Sequence, residues 1–191
     1  MSKYSVTLKQ LRRAEACFTG YNKLVASMSG EPLVTEKRYA TYDTKQPISL
    51  IQILDSNGLS DAIWALHCIE GADREIRLFA VWCARQVQHL MQDERSLRAL
   101  DVAEKFANGL ATIEELNKAK TAAYEAADKA ACLAIDKATY LAAKAAAYAA
   151  EAAHEAVYAA YAAARAADAA AHSGMNICNN LEAQFRKVFS N

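Results

Sequence analysis

No glycine or proline occurs between Gly109 and Gly174, and more than half of the residues from Lys118 to Ala171 are alanine. Alanine has the highest intrinsic helix propensity, because it loses no side-chain entropy on folding and buries no polar group. The run therefore predicts helix throughout, and its small side chains would let neighbouring helices approach closely. It constrains the architecture of the chain far more than its chemistry.

Charged residues within this run recur on one side of a helix. Four of them lie on one seven-residue ladder, namely Lys137, Lys144, Glu151 and Arg165, and His172 continues the ladder just beyond the run. The retained phase favours a single unbroken helix that starts at the Thr112–Glu115 capping box and ends before Gly174. About 60 residues would then span roughly 90 Å. The alternative is a hairpin folded near residues 136–144, whose turn would contain no Gly, Pro, Asn or Ser.

Capping residues divide the rest of the chain into shorter helices. The predicted starts are Thr7, Pro47, Ser60, Asp73 and Ser96. The first of these helices is expected to run to Gly30. The segment 31–46 is irregular because Pro32 opposes helix, and a short strand or helical turn is expected around residues 35–42.

Together these patterns predict an all-α multi-helix bundle with one long alanine-rich helix. Residues 1–110 form a helical body, residues 111–173 the long helix and residues 174–191 a short C-terminal helix. The tail LEAQFRKVF is expected to pack Leu181, Phe185 and Val188 against the body. With 191 residues, the chain is long enough to bury a substantial core as one structural unit.

Composition excludes several classes of protein. Lys plus Arg equals Asp plus Glu at 22 each, whereas a nucleic-acid binder usually carries a basic excess, so no nucleic-acid partner is expected. The five cysteines are scattered without a C-x-x-C pair, which indicates reduced thiols and no metal site. Charges interrupt the alanine run and no secretory signal is present. We expect a cytoplasmic protein with no membrane span and no cofactor.

Tyrosines on the polar stripe are the strongest surface candidates. They are Tyr140, Tyr148, Tyr158 and Tyr161. Tyrosine offers a large, rigid, amphipathic contact area at low entropic cost, so these rings are candidates for a partner-binding face. The alternative is that they fill the gaps that alanine leaves between helices.

An arginine cluster around Trp64 and Trp82 is the second candidate partner-binding set. It comprises Arg74, Arg77 and Arg85. Arginine is enriched at binding hot spots because it pairs with carboxylates and stacks on aromatic rings. The alternative is structural: Arg77 and Arg85 would pair with Asp61, Glu70 or Asp73 between packed helices.

Two further groups complete the candidates. Small residues on the alanine face could pack a second copy of the chain, namely Ala146, Ala149 and Ala153. The one grouping that could supply a thiol nucleophile or metal ligands comprises His67, Cys68, Cys83 and His89, but their spacing matches no zinc pattern. Core cysteines are the favoured interpretation of that grouping, and no catalytic residues are predicted.

Three segments resemble a known family. They are DAIWALHCIEG, REIRLFAVWCARQVQHL and ALDVAEKFANGLATIEELNKAKTAAYEAA, followed by the alanine run. This order is similar to the alanine-rich immunity proteins of bacterial polymorphic toxin systems, which also occur in phages. The similarity extends from about Thr7 to the LEAQFRKVF tail. It implies an all-helical fold and a role in binding and neutralising another protein, and it supplies no catalytic residues.

The favoured hypothesis is therefore a non-catalytic, protein-binding inhibitor with a protein target, either a toxin antidote or a phage counter-defence factor. The alternative is a structural module whose alanine face builds a homo-oligomer without an external target. A third hypothesis is a small hydrolase or transferase that uses the region of His67, Cys83 and His89.

Overall fold

The computed structural model describes residues 3–30, 45–132, 137–151, 153–169 and 177–190, and it confirms the all-α fold class. Residues 31–44, which hold most of the predicted irregular segment, lie outside this range. In the described part of the chain, no helix combines the length and apolar character that a membrane span requires.

The chain forms two compact units. The first comprises residues 1–71 with 186–191, and the second comprises residues 72–185. The boundary at Gly71 differs from the predicted one near residue 110. The reason is that the helices that follow Gly71 pack against the alanine-rich helices of the second unit.

Short helices and one pair of two-residue strands build the first unit. Its elements are β1 (Ser5–Val6), α1 (Leu8–Arg13), α2 (Phe18–Ser29), β2 (Ile48–Ser49), α3 (Leu50–Asn57), α4 (Leu59–Ala65) and a 3₁₀ turn (Leu66–Cys68). The strands are antiparallel, and Val6 pairs with Ile48. In this unit the ring of Tyr4 meets that of Phe189 edge-on at 5.3 Å. The strand pair is absent from the sequence prediction, since two residues are too short to show an alternating pattern.

Local capping explains where these helices start. Thr7 forms the predicted capping box, but the helix from Thr7 to Gly30 is broken. Glu15 has a positive φ of 61°, and Cys17 caps α2 by accepting a hydrogen bond from the Gly20 amide. The predicted start at Pro47 is also wrong by a few residues. The reason is that Ser49 forms the capping box of α3 while Ile48 is held in β2.

The second unit consists of helices, most of them longer than those of the first unit. They are α5 (Asp73–Arg85), a 3₁₀ turn (Gln88–Leu90), α6 (Glu94–Ala107), α7 (Ile113–Cys132), α8 (Lys137–Ala149), α9 (Ala153–Ala156) and α10 (Tyr158–Ala169). A further helix, α11 (Ile177–Phe189), starts in this unit and ends in the first. The predicted starts at Asp73 and at the Thr112–Glu115 capping box are confirmed. Asp93, rather than Ser96, caps α6.

The single long helix predicted for residues 111–173 is wrong. Helices α7 and α8 are antiparallel neighbours, as two pairs of side chains show: Tyr124 lies beside Tyr148, and Lys120 beside Glu151. The hairpin alternative is therefore the correct one at this point. Helix α7 ends at Cys132 and α8 already begins at Lys137, so most of the range expected for the turn, residues 136–144, is helical. Residues 133–136 lie outside the described chain.

A second break follows α8. Ala150 and Glu151 donate to carbonyls only three residues back, which tightens the last turn, and α10 then packs alongside α8. The physical reason for both breaks is burial. An extended helix would leave a wide alanine face in water, whereas the folded run places α8 against α5, α6, α7 and α10.

Alanine makes this close packing possible at the centre of the unit. Ala146 and Ala149 of α8 have no exposed surface, so their neighbours are helices of the same chain. The predicted oligomer packing through these two residues is therefore replaced by intramolecular packing. The side chain of Ala153, the third residue of that prediction, lies outside the described set.

The C-terminal helix α11 buries its apolar side as predicted. Leu181 and Phe185 are buried, and the Phe185 ring meets that of Phe79 edge-on at 5.6 Å within the second unit. Val188 is only half-buried, and Phe189 takes the buried position at the end of the helix.

Candidate binding groove

The four candidate tyrosines converge on one groove of the second unit. Tyr140 and Tyr148 project from α8, and Tyr158 and Tyr161 project from α10. All four line a groove of about 310 Å³ on the seam between these two helices. The spacing of eight residues on α8 and of three residues on α10 keeps each pair of tyrosines on one side of its helix.

Aromatic rings form a continuous line along this groove and beyond it. The ring of Tyr124, on α7, meets that of Tyr148 edge-on at 6.2 Å. Tyr148 is 5.8 Å from Tyr158, which in turn is 6.4 Å from Tyr161. Tyr158 is 47% exposed, whereas the other three rings are half-buried. The line therefore combines packed rings with one that is accessible to a partner.

Two cations face the same groove. The Lys144 ammonium lies 4.9 Å from the ring centroid of Tyr124 and 5.2 Å from that of Tyr148, within the range of a cation–π contact. Arg165, on α10, is exposed and also lines the groove. Within the described part of the chain, neither cation has a carboxylate within ion-pair distance.

A buried polar contact fixes one end of the aromatic line. Lys120 pairs with Glu151 at 3.3 Å, and the Glu151 side chain is only 14% exposed. Burial, with a hydrogen bond to the Glu151 carboxylate as the next cause, raises the pKa of Tyr124 well above its ordinary value. Tyr124 therefore lies close to the Glu151 carboxylate, which already has Lys120 as a partner.

The sequence places Lys144 and Arg165 on the polar ladder, but it does not single them out, or Tyr124, as candidate site residues. The signal that points to Lys144 is its spacing, four residues from both Tyr140 and Tyr148 on one helix face. Tyr124 gives no such signal, because it comes from a helix that meets α8 only after the run folds back.

The three arginines of the predicted cluster do not form one surface. Arg74 is exposed and donates to Asn108 at 2.8 Å. Arg85 binds Asp101 at 2.9 Å and Glu104 at 2.6 Å, both on α6. Arg85 therefore forms ion pairs between packed helices, as the structural alternative predicted, but its partners are not the three carboxylates expected.

Arg77 occupies the interior of the second unit and is only 5% exposed. Its guanidinium donates to the carbonyls of Ala149 and Glu151, at the end of α8, and stacks 5.1 Å from the ring of Phe106. Burial lowers its pKa, and the charges of Asp73 and Glu151 act in the opposite direction. A partner-binding role predicted for Arg77 is wrong for this conformation, because the side chain is enclosed.

The His/Cys grouping has the properties of core thiols. Burial raises the pKa of Cys83 well above its ordinary value and that of Cys68 to about 11. His67 donates from Nδ1 to the carbonyl of Trp64 at 2.7 Å, and His89 is exposed. Protonated thiols are poor nucleophiles. Over the described residues, no group of three His, Cys, Asp or Glu side chains is arranged to hold a metal ion.

Comparison of the chain with known families, with curated proteins and with solved structures gives no match. The resemblance to alanine-rich immunity proteins therefore stays a prediction. Among the features of the described residues, the groove defined by the tyrosines, Lys144 and Arg165 is the best candidate for a binding site.

Proposed function

We propose that this chain is a non-catalytic, protein-binding inhibitor that neutralises a protein target in the cytoplasm, as an immunity or phage counter-defence factor. One observation carries the proposal, namely the line of tyrosines with two flanking cations on the seam of α8 and α10. The family resemblance supports the same class of function.

Physical chemistry favours such a groove as a protein-binding surface. Tyrosine and arginine are among the residues that contribute most to binding free energy at interfaces. Tyr148 and Tyr161 are half-buried against neighbouring helices, so they lose little conformational freedom when a partner binds. Tyr158 and Arg165 are exposed and would make the first contacts.

The test is affinity capture with matched variants. The full chain, tagged, is incubated with lysate of the host and washed at increasing salt. Tyr158→Ala and Arg165→Glu change exposed groove residues, so both should fold normally. Leu110→Ala and Arg98→Glu are controls, because they make the same kinds of change at exposed positions outside the groove.

We expect one partner at near-stoichiometric yield with the wild type and both controls. Capture should fall about tenfold or more with either groove variant, which corresponds to about 1.4 kcal/mol. Equal capture by groove and control variants would remove the groove from the proposal. Recovery of the bait alone, as a defined oligomer in light scattering, would favour the alternative of a self-assembling structural module.

A further inference from the structure

The groove carries a charge that the chain as a whole does not. Eight residues line it; two are the cations Lys144 and Arg165, and none is a carboxylate. The chain contains equal numbers of basic and acidic residues, so this local excess does not follow from composition. A concave surface lined with one sign of charge attracts groups of the opposite sign.

Among the described side chains, no carboxylate forms an ion pair with Lys144 or Arg165. The Glu151 carboxylate pairs with Lys120 at 3.3 Å. Elsewhere in the same unit, Arg85 and Arg95 bind carboxylates of adjacent helices. No carboxylate of the described side chains lies within ion-pair distance of Arg165, which is exposed and lines the groove.

Lys144 is held in place in a manner that suits recognition of an anion. Its ammonium rests over the rings of Tyr124 and Tyr148, which limits its motion without neutralising its charge. A carboxylate that reaches it would thus meet a positioned cation, at a smaller entropic cost than for a lysine in open solvent.

We infer that the groove binds an acidic segment of the protein target. A carboxylate of the segment would sit between Lys144 and Arg165, and a neighbouring aromatic or aliphatic side chain would lie on the rings of Tyr148 and Tyr158. This inference rests on the proposed function and specifies the chemistry of the partner. A nucleic acid is the poorer match, because two cations on a chain of zero net charge supply too few phosphate contacts.

Selection from a random dodecapeptide library displayed on phage tests this chemistry without knowledge of the target. The full wild-type chain is immobilised, and selections on Arg165→Glu and on Arg98→Glu run in parallel. Both substitutions reverse the charge of an exposed arginine, but only Arg165 lines the groove. Circular dichroism of each protein confirms that it is folded.

Peptides selected on the wild type and on Arg98→Glu should be at least about twofold enriched in Asp and Glu and should also contain Phe, Trp or Leu. That enrichment should vanish on Arg165→Glu. A synthetic peptide of the selected sequence should bind several-fold more weakly when NaCl is raised from about 50 to about 500 mM. No enrichment, enrichment without acidic residues or the same peptides on Arg165→Glu would each overturn the inference.

Failure of this inference is distinguishable from failure of the proposed function. If lysate capture depends on Tyr158 while the selected peptides are not acidic, the groove binds a protein by other chemistry and only the inference falls. If no protein is captured by the wild type, the proposed function itself fails.

Discussion

Nη1 of Arg77 donates a hydrogen bond across 3.3 Å to the carbonyl oxygen of Ala149, although 72 residues separate the two in sequence. The last carbonyls of a helix have no partner within it, and here a buried guanidinium supplies one. The same side chain also donates to the carbonyl of Glu151 and stacks on Phe106. Arg77 therefore stabilises the point at which the alanine run breaks after α8.

Replacement of Arg77 should destabilise the fold more than replacement of any exposed arginine. Arg77→Ala leaves buried carbonyls unsatisfied, and we expect the free energy of unfolding to fall by about 2–4 kcal/mol. Urea unfolding followed by circular dichroism measures this change. Arg74→Ala is the matched control, since Arg74 is exposed on the same helix, and it should stay within about 0.5 kcal/mol of the wild type. Equal effects of the two substitutions would contradict the capping role.

Overpacking should be costly at the centre of α8. Ala146 is fully buried, and Ala146→Leu adds three carbons where neighbouring helices are in close contact, so we expect a loss of about 1–3 kcal/mol. Ala131→Leu makes the same change on the exposed side of α7 and should have little effect. Thermal melting at two protein concentrations checks both variants. A melting temperature that rises with concentration would show that Ala146 packs between copies of the chain.

Stability should respond to acid through Asp93. Hydrogen bonds from the Arg95 side chain, as the main cause, lower the pKa of Asp93 from 3.8 to about 2. The folded state therefore binds this proton more weakly than the unfolded chain. The stabilising contribution is present above about pH 4 and is lost as the pH falls towards 2. Asp93→Asn keeps the N-cap acceptor but removes the charge, so the stability of the wild type over this variant should shrink across that interval.

We expect the free energies of unfolding of the wild type and Asp93→Asn to differ by less than about 1 kcal/mol, because the Asp93–Arg95 pair is partly exposed to solvent. Urea unfolding of both proteins at several pH values between 2 and 6 provides the measurement. A difference between wild type and Asp93→Asn that stays constant over the whole range would contradict the assignment.

At alkaline pH, we expect ionisation of Tyr124 to lower the free energy of unfolding. Burial, followed by the contact with Glu151, holds its pKa above the ordinary value of 10.0. A pKa raised in the folded state means that stability is complete below pH 10 and falls as the pH rises above it. The Tyr124→Phe variant should lose less stability than the wild type above pH 10.

Absorbance of the phenolate near 295 nm gives an independent measure of the same group. Wild-type protein should show one tyrosine that ionises later than the exposed ones, and Tyr124→Phe should lack that late step. Tyr158→Phe is the control, because Tyr158 is largely exposed. A late step that persists in Tyr124→Phe would assign it to a different ring.

Local sequence signals determined a large part of this fold. The capping boxes at Thr7 and Thr112 and the left-handed glycine at Gly30 depend on a few adjacent residues, so they are readable without tertiary information. The spacing of Tyr140 and Tyr148 likewise placed them on one face of α8. Each of these features follows from interactions within about one or two helical turns.

Tertiary packing decided where the alanine run ends and restarts. Helix propensity is nearly uniform from Lys118 to Ala171, so it does not predict that helices end at Cys132 and Ala149. The breaks are favourable because they bury the alanine face of α8 and because Arg77, distant in sequence, binds the carbonyls that the second break exposes.

Some residues of the groove could be identified from the sequence, whereas others became part of it only through the tertiary structure. Sequence alone identified the four tyrosines, because tyrosines repeated on one helix face mark a candidate surface. Only the folded chain brought Lys144 and Arg165 into one groove and placed Tyr124 against Tyr148. Such contacts join residues on different helices, and their free energy exists only after the chain has reversed direction.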